Sequence, residues 1–537
     1  MDDSATQPPH AGIEAPTAAQ GDVSESSGDR SDHLADHHYT PLRVIEIVQT
    51  VLTALMLAFI FRAYFIEAFI IPTGSMASGL VGDHATRVCP TCGWEYDFGP
   101  TSSAHVGTDH VFRGGVRVRC PNCHDIAELD ENQIVSKAGD RILVHKWPYL
   151  FAGPRRWDVV VFRDPSDPQQ NFIKRLVGLP GEEIEIIDGD IYTRAADDSE
   201  PRIRRKTDVA QSALWTIVFD QNALPPPDPD DAARSLQWVP DLAETSISGQ
   251  WAGYDTRVIR FESADAAPRR LRFAPVRSPY YFEDVHGYNG GPSSGDGSPP
   301  YVGDARVRFT LTPGSSEGTL AIELVRDTRR FVVLIDLAGR VSLEATSSDT
   351  PERHAIWESV KLPAFTPQRA IRVEFGHLDY RVYVKLDGVE VAASSDSQYE
   401  PNPFVLRGFK RTRPIGFELT GAGGEFELRD LRIDRDVHYA FSRNNTLRAY
   451  SGSPFELRGS EYFVLGDNTA SSHDAREWYR VGPHLELDEE SGRYRLGTVR
   501  DDQIVGQAFF VYLPGLLPID AAGRFRLPDV GRVRFVR

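Results

Sequence analysis

Cysteine is scarce in this 537-residue chain: four residues, all between positions 89 and 123. That excludes a disulfide-stapled scaffold and leaves one local metal or disulfide site. Basic charge is also short. The 59 Lys and Arg stand against 77 Asp and Glu, a formal net charge of −18. Phosphate binding needs a basic surface, so nucleic acid is excluded as the main partner. Long amphipathic helical patterns are few, and no repeat of fixed period is present. The N-terminal stretch carries eight acids, one arginine and many Ser, Ala, Gly and Pro. It cannot bury enough apolar surface to offset chain entropy, so residues 1–41 read as a disordered acidic tail. The length exceeds one core and implies roughly two to four domains.

One long apolar run is present, RVIEIVQTVLTALMLAFIFRAYFIEAFII. Its uncharged part, Ile47 to Phe61, spans fifteen residues, which is short for a bilayer crossing. Extended to Val44–Ile66 it reaches 23, with Glu46 and Arg62 near the ends, where their side chains can reach the interface. Residues 42–67 therefore read as a transmembrane helix, with a buried soluble helix as the alternative. The long acidic stretch before it does not fit a cleaved signal peptide. Arg43 and Arg62 nearly cancel in the positive-inside count, so charge alone gives no orientation. Beyond the run the pattern turns to period two. DVVVF, RVYVKLDGVEV, GEFELRDLRI and GRYRLGTV are short strands bounded by Gly, Asp and Pro, so the fold class is mainly β. Asp387-Gly388 marks a hairpin turn.

Three stretches carry chemistry. FIIPTGSMASGL places Ser75 beside glycine in a turn at the end of the apolar segment, where a hydroxyl is accessible; a plain turn is the bland reading. In QNFIKRLVGLPGEEIEI, read as a strand, Phe172, Lys174 and Leu176 share one face and Ile173 and Arg175 the other. A lysine between Phe and Leu is desolvated, which lowers its pKa and suits a general base; a snorkelling lysine at a sheet edge is the alternative. In YFVLGDNTASSHDAR a strand runs into a turn with hydroxyls and an Asp474/Arg476 pair. Ser472 there is suited to orient a neutral amine, whereas an exposed ion pair on a turn would contribute little.

Together these stretches resemble the type I signal peptidases, the membrane-bound Ser–Lys proteases. IPTGSM resembles the nucleophile box, followed by GDRILVHKW, WDVVVFRDP, FIKRLVGLPG, GDNTASSHDAR and IVGQAFFVYLP. The resemblance covers roughly 150 residues in several ordered boxes after an apolar anchor, and that order makes it specific. It implies acyl transfer with Ser75 as nucleophile and Lys174 as general base. The Ser75 N–H and the Thr73 hydroxyl would hold the oxyanion. Ser472 would orient Lys174, Asp467, Asp474 and Arg476 would brace the loop, and Ile71, Pro72, Met76, Phe172 and Ile173 would bind substrate through pockets for small side chains. Three positions depart from the family pattern: Trp157 for Gly, Thr469 for Arg and Ala475 for Ser. They put loop geometry in question rather than the nucleophile or the base. A Ser-His-Asp arrangement through His473 or His145 is the competing chemistry.

The cysteines fall as C-x2-C, 27 residues, C-x2-C: Cys89, Cys92, Cys120 and Cys123. That spacing suits a closed tetrahedral structural zinc site, with two disulfides as the alternative. The segment from about Tyr254 to Asp436 resembles a laminin-G or concanavalin-like sandwich, a fold that does not by itself give a function. The organisation expected is therefore a tail over 1–41 and a transmembrane helix over 42–67. A signal-peptidase-type β catalytic core follows over 68–84, 128–195 and 456–537, with a zinc ribbon inserted at 85–127 and a jelly-roll-like β-sandwich at 196–455. The function expected is cleavage of signal peptides from exported preproteins at the extracytoplasmic side of the inner membrane, with no catalytic cofactor. Partners are signal peptides and lipid, with a glycan or envelope protein as a candidate ligand of the sandwich. A different class, a membrane-anchored binding protein on an inactive peptidase frame, is the alternative.

Overall fold

The computed structural model describes residues 41–537 apart from 101–111, 113–114, 227–236, 241–249, 275–280, 285–286, 290–299, 348–349, 440–447, 484, 486–493 and 519–524. The tail expected over 1–41 lies outside the described residues, save for Pro41. Residues through Phe59 form one unit and those from Ile60 another. The helix α1 runs Pro41–Tyr64, and its Arg43–Tyr64 part is long and apolar enough to cross a membrane, by length and composition. It stops three residues short of the expected end at 67. There the residues IEAFI leave the helix and pair as a strand, β1 (Ile66–Ile70).

The protein is mainly β. The first sheet contains β1, β2 (Arg141–His145), β3 (Val159–Arg163), β4 (Asn171–Gly178), β5 (Glu461–Leu465) and β6 (Ile504–Leu513), in the order β1-β2-β6-β3-β4-β5 and continued by the short strand Val499–Arg500. Its pairings are antiparallel. The sequence distance is bridged by register: β4 sets Lys174 opposite Val160 and Arg175 opposite Val159, and β5 sets Leu465 opposite Arg175. Apolar side chains close both faces. Ile71, Met76, Ile142, Val144, Val161 and Ile173 pack on one, and Val160, Phe162, Leu176, Phe463 and Leu465 on the other.

A second core belongs to the block 196–455. Thirteen strands form one hydrogen-bonded array in which Ala305–Arg326 and Gly416–Arg435 pair with each other and with several neighbours. Their register shifts between Pro313 and Thr319, bulges that turn long strands around an apolar interior. That interior draws its buried residues from Val218 to Ile433, whereas Ala210, Leu214, Val437, Tyr439, Ala449 and Leu457 pack into the core of the first sheet. The hairpin read from Asp387-Gly388 is present: Leu386 faces Val389, with φ of 49° and 83° at the two turn residues, the left-handed pair a tight two-residue turn requires. Around the cysteines, two two-stranded ribbons, Ala85–Val88 with Glu95–Phe98 and Val116–Arg119 with Ile126–Leu129, enclose a third small core.

Candidate active site

The chain leaves β1 and is pinned at once. Ile71 N donates to Asp140 O at 2.9 Å. A one-turn helix over Gly74–Met76 then carries Ser75, with Thr73 as the residue before it in extended conformation. The first N–H groups of such a turn have no partner within it, and the Thr73 side chain makes no capping bond. Ser75 is buried beneath this turn, as is Lys174 on β4. The two meet across 99 positions of sequence: Lys174 Nζ donates to Ser75 Oγ at 2.6 Å.

The surroundings of Lys174 set its protonation. Burial pushes the ammonium down to about 8 from its ordinary 10.5, against the opposing pull of Asp474 and Asp467. Those carboxylates are themselves neutralised. Arg476 Nε and Nη2 donate to Asp474 at 2.9 and 2.8 Å, and Arg175 Nε and Nη2 donate to Asp467 at 2.7 Å each. Burial opposes the ionised form of Asp474, but the Arg476 guanidinium holds its carboxyl below the usual range. The Asp474–Arg476 pair is fully buried, not an exposed pair on a turn. Two-pronged charge pairs of this kind fix geometry as well as charge. The Phe172 ring lies 5.5 Å from Lys174 Nζ and supplies part of the apolar wall.

The loop after β5 reaches the Ser75 turn directly. Asn468 N donates to Ser75 O at 3.0 Å and Asn468 Nδ2 to Gly74 O at 2.9 Å. Gly466 is needed at this crossing: a Cβ there would stand 2.2 Å from Ser472 Oγ and 2.6 Å from Ser75 O. Gly466 N donates to Asp474 Oδ2 at 3.0 Å, so the ion pair holds the loop that holds Ser75. Ser472 is buried beside them, next to the Asp474 carboxylate. Of the residues read as substrate-binding, Ile71, Met76 and Ile173 are buried in the core cluster, Phe172 is partly buried and Pro72 is exposed. His473 pairs with Glu477 at 3.6 Å and His145 stacks on Phe509; neither stands beside Ser75 in the contacts described. Sequence reading missed Arg175 and Asn468. The signal was there for Arg175, a charge on the face opposite Lys174 in a strand that is otherwise apolar.

The four cysteines converge. Their sulfurs lie within 4.8 Å of one another and all four thiols are free and buried. Cys89 Sγ and Cys123 Sγ are 3.6 Å apart, as are Cys92 Sγ and Cys120 Sγ, close to the sulfur–sulfur edge of a tetrahedral site with metal–sulfur bonds of about 2.3 Å. The donor set fits a metal.

The family described as "Signal peptidase, peptidase S26" matches residues 134–230 and 380–513. The chain is similar to signal peptidases. That match takes in Lys174 and the loop 466–476; Ser75 precedes it. Signal peptidase I of Rickettsia prowazekii is 30% identical over 166 residues, 31% of this chain and 48% of the relative. Signal peptidase I of Rickettsia bellii is 25% identical over 166 residues, 31% of this chain and 44% of the relative. A shorter stretch of 53 residues is 56% identical to signal peptidase I of Rickettsia canadensis, covering 10% of this chain and 20% of that protein. The chain thus spans about half the length of the first two relatives. Among solved structures, carbohydrate binding module CBM66 from Bacillus subtilis aligns with 37% of this chain and 95% of its own at 11% identity and a TM-score of 0.23. The laminarinase catalytic domain from Thermotoga maritima aligns with 42% and 99% at 12% identity and a TM-score of 0.26.

Proposed function

We propose that this chain is a membrane-anchored signal peptidase that cleaves exported preproteins by a Ser75–Lys174 mechanism. The observation that carries the reading is the 2.6 Å contact between Lys174 Nζ and Ser75 Oγ in a buried setting that lowers the lysine to about 8. In the neutral amine the nitrogen lone pair takes the hydroxyl proton as Ser75 Oγ attacks the scissile carbonyl carbon. The carbonyl oxygen gathers negative charge, and the Ser75 N–H and Thr73 hydroxyl stabilise it. Collapse breaks the C–N bond, and the Lys174 ammonium returns the proton to the departing amine. Water then attacks the Ser75 ester with Lys174 again as base, releasing the mature chain's severed signal peptide and restoring both groups. Ser472 would orient the Lys174 amine. Pro72 and Phe172 border the entry, and small residues before the cut suit a site whose other apolar groups, Ile71, Met76 and Ile173, are already packed.

The helix α1 anchors the protein in the cytoplasmic membrane with the catalytic sheet on the extracytoplasmic side. Lys146 N bonds Phe65 O just beyond the helix, and the following residues expose Trp147, Leu150 and Phe151, an apolar set suited to lipid headgroups. The cysteine cluster holds a structural zinc within 85–127, and the β-sandwich of 196–455 is an inserted domain. The test is cleavage of a preprotein with an Ala-X-Ala site by the full chain in detergent. Ser75→Ala and Lys174→Met each abolish cleavage while the fold persists. Cleavage by either variant at the wild-type rate rejects the mechanism.

A further inference from the structure

The block 196–455 does more than fill a gap between catalytic segments. Three of its residues, distant from Ser75 in sequence, reach either the turn that carries Ser75 or the loop that holds it. The Tyr288 ring takes the volume that a Gly74 side chain would need: a Cβ there would lie 1.8 Å from Tyr288 Cε1. The same ring packs on Ala77 and Val81, and its hydroxyl donates to Asp83 O at 2.7 Å. Tyr288 O accepts from Gly99 N at 2.8 Å, so one residue ties the nucleophile turn to the cysteine segment. Next to it, the Asn289 and Asn468 amides pair at 2.7 and 2.6 Å. Asn468 is the residue whose N and Nδ2 hold Ser75 O and Gly74 O. Asp284 Oδ2 accepts from Thr469 Oγ1 at 3.1 Å.

Two of the departures from the family pattern belong to the same arrangement. Thr469, which stands where an arginine is usual, shares its hydroxyl proton between Asp284 and His438 O of the block. Trp157, which stands where glycine is usual, keeps a glycine-like φ of 77° and donates from Nε1 to Arg205 O at 3.1 Å. A non-glycine residue in that conformation is held against strain by what its side chain gains. Both side chains make hydrogen bonds to the block.

On the reading of Ser75 and Lys174 given above, we propose that Tyr288 and Asn289 of the block are positioning residues that hold the nucleophile turn in its reactive geometry. They touch neither the lysine nor the reacting oxygen. Their effect falls on where Ser75 sits, not on the protonation of its base. A displacement of the nucleophile by about 1 Å costs on the order of 10²-fold in rate.

The experiment uses the full chain in detergent with an Ala-X-Ala preprotein, measuring kcat, KM and the pH profile of cleavage for Tyr288→Ala, Tyr288→Phe and Asn289→Ala. Tyr288→Ala is expected to lower kcat by roughly 10²-fold with KM within about threefold, and Asn289→Ala by roughly tenfold, the signature of lost transition-state alignment rather than lost binding. Tyr288→Phe keeps the ring on Gly74 and restores most of kcat. The midpoint of the pH profile stays near 8 in all three. Wild-type kcat in both alanine variants overturns this inference and leaves the Ser–Lys reading standing; a folded wild type that does not cleave overturns both. A shifted pH midpoint also counts against it, because positioning leaves the base untouched. If Tyr288→Ala does not fold, Asn289→Ala decides, since it removes one amide pair and no core volume.

Discussion

A lysine that serves as base must be neutral, and burial makes Lys174 easier to deprotonate at a cost to stability. Its pKa near 8 leaves about 1% in the amine form at pH 6, about 9% at pH 7 and about 90% at pH 9, so kcat/KM climbs nearly tenfold per unit and levels off above pH 9. The same shift makes a second, independent forecast. Between pH 8 and 10.5 the unfolded lysine holds a proton that the folded one has lost, so wild-type stability rises with pH across that window. The fall from 10.5 to about 8 corresponds to about 3 kcal/mol. Below pH 8 the folded state bears this penalty in full. Lys174→Met, which keeps the length and removes the charge, is therefore inactive yet more stable than wild type at pH 7 by about 1–3 kcal/mol, after allowing for the lost bond to Ser75 Oγ. The advantage fades as pH rises toward 10.5. Preprotein cleavage across pH 6–10 and urea unfolding of both proteins at pH 7 and pH 10 test the pair of forecasts. A flat activity profile, or a stability gap that does not narrow with pH, would refute the argument that desolvation tunes this amine.

Asp467→Asn leaves the Arg175 guanidinium in the core without a counter-charge, held only by the Trp157 and Arg537 carbonyls and a neutral amide; a loss of about 3–5 kcal/mol is expected in urea unfolding. Lys206 Nζ lies 2.5 Å from Asp379 and 2.8 Å from Asp436, all buried, so Lys206→Met leaves two uncompensated carboxylates and costs a similar amount, about 3–5 kcal/mol. Elemental analysis of the purified chain should find one zinc per molecule; chelation should lower the melting temperature and expose four thiols to a labelling reagent, and Cys120→Ser should lower it and expose the remaining three. An unchanged melt with no bound metal would remove the zinc from the account.

Much of the site was legible because its chemistry leaves local marks. Ser75 beside glycine at the end of an apolar run, and Lys174 between Phe172 and Leu176, are visible within a dozen residues each, and period-two alternation gave the β character. Arg175 escaped because alternation says which way a side chain points and nothing about what waits there; its partner, Asp467, is 292 positions away. The bracing expected of Asp474 and Arg476 rested on the resemblance; their spacing alone left an exposed pair on a turn as the plain alternative, and only tertiary packing buries them. The end of α1 was misjudged for a related reason. Val, Ile and Phe suit a membrane helix and a strand equally well, and only the availability of β2 as a partner decides that Ile66–Ile70 pairs instead.

The three departures from the family pattern lie where no single box can explain them. Ala475, fully buried among Val464, Trp478 and Leu465, offers nothing but volume, and a serine there would need a partner. Trp157 and Thr469 each look like a defect when compared with a minimal peptidase. With the block in place, each is the local half of a contact whose other half, Arg205 or Asp284, lies in the added chain. A segment that only spaced two strands apart would put no such demand on residues of the catalytic frame. The demand falls on the residue after Asn468 and on the residue whose carbonyl holds Arg175. On the Ser75–Lys174 reading, the block is therefore tied to the loop that holds Ser75 and to the residue that holds Arg175, and loss of those contacts should be felt at Ser75 before it is felt in the sheet.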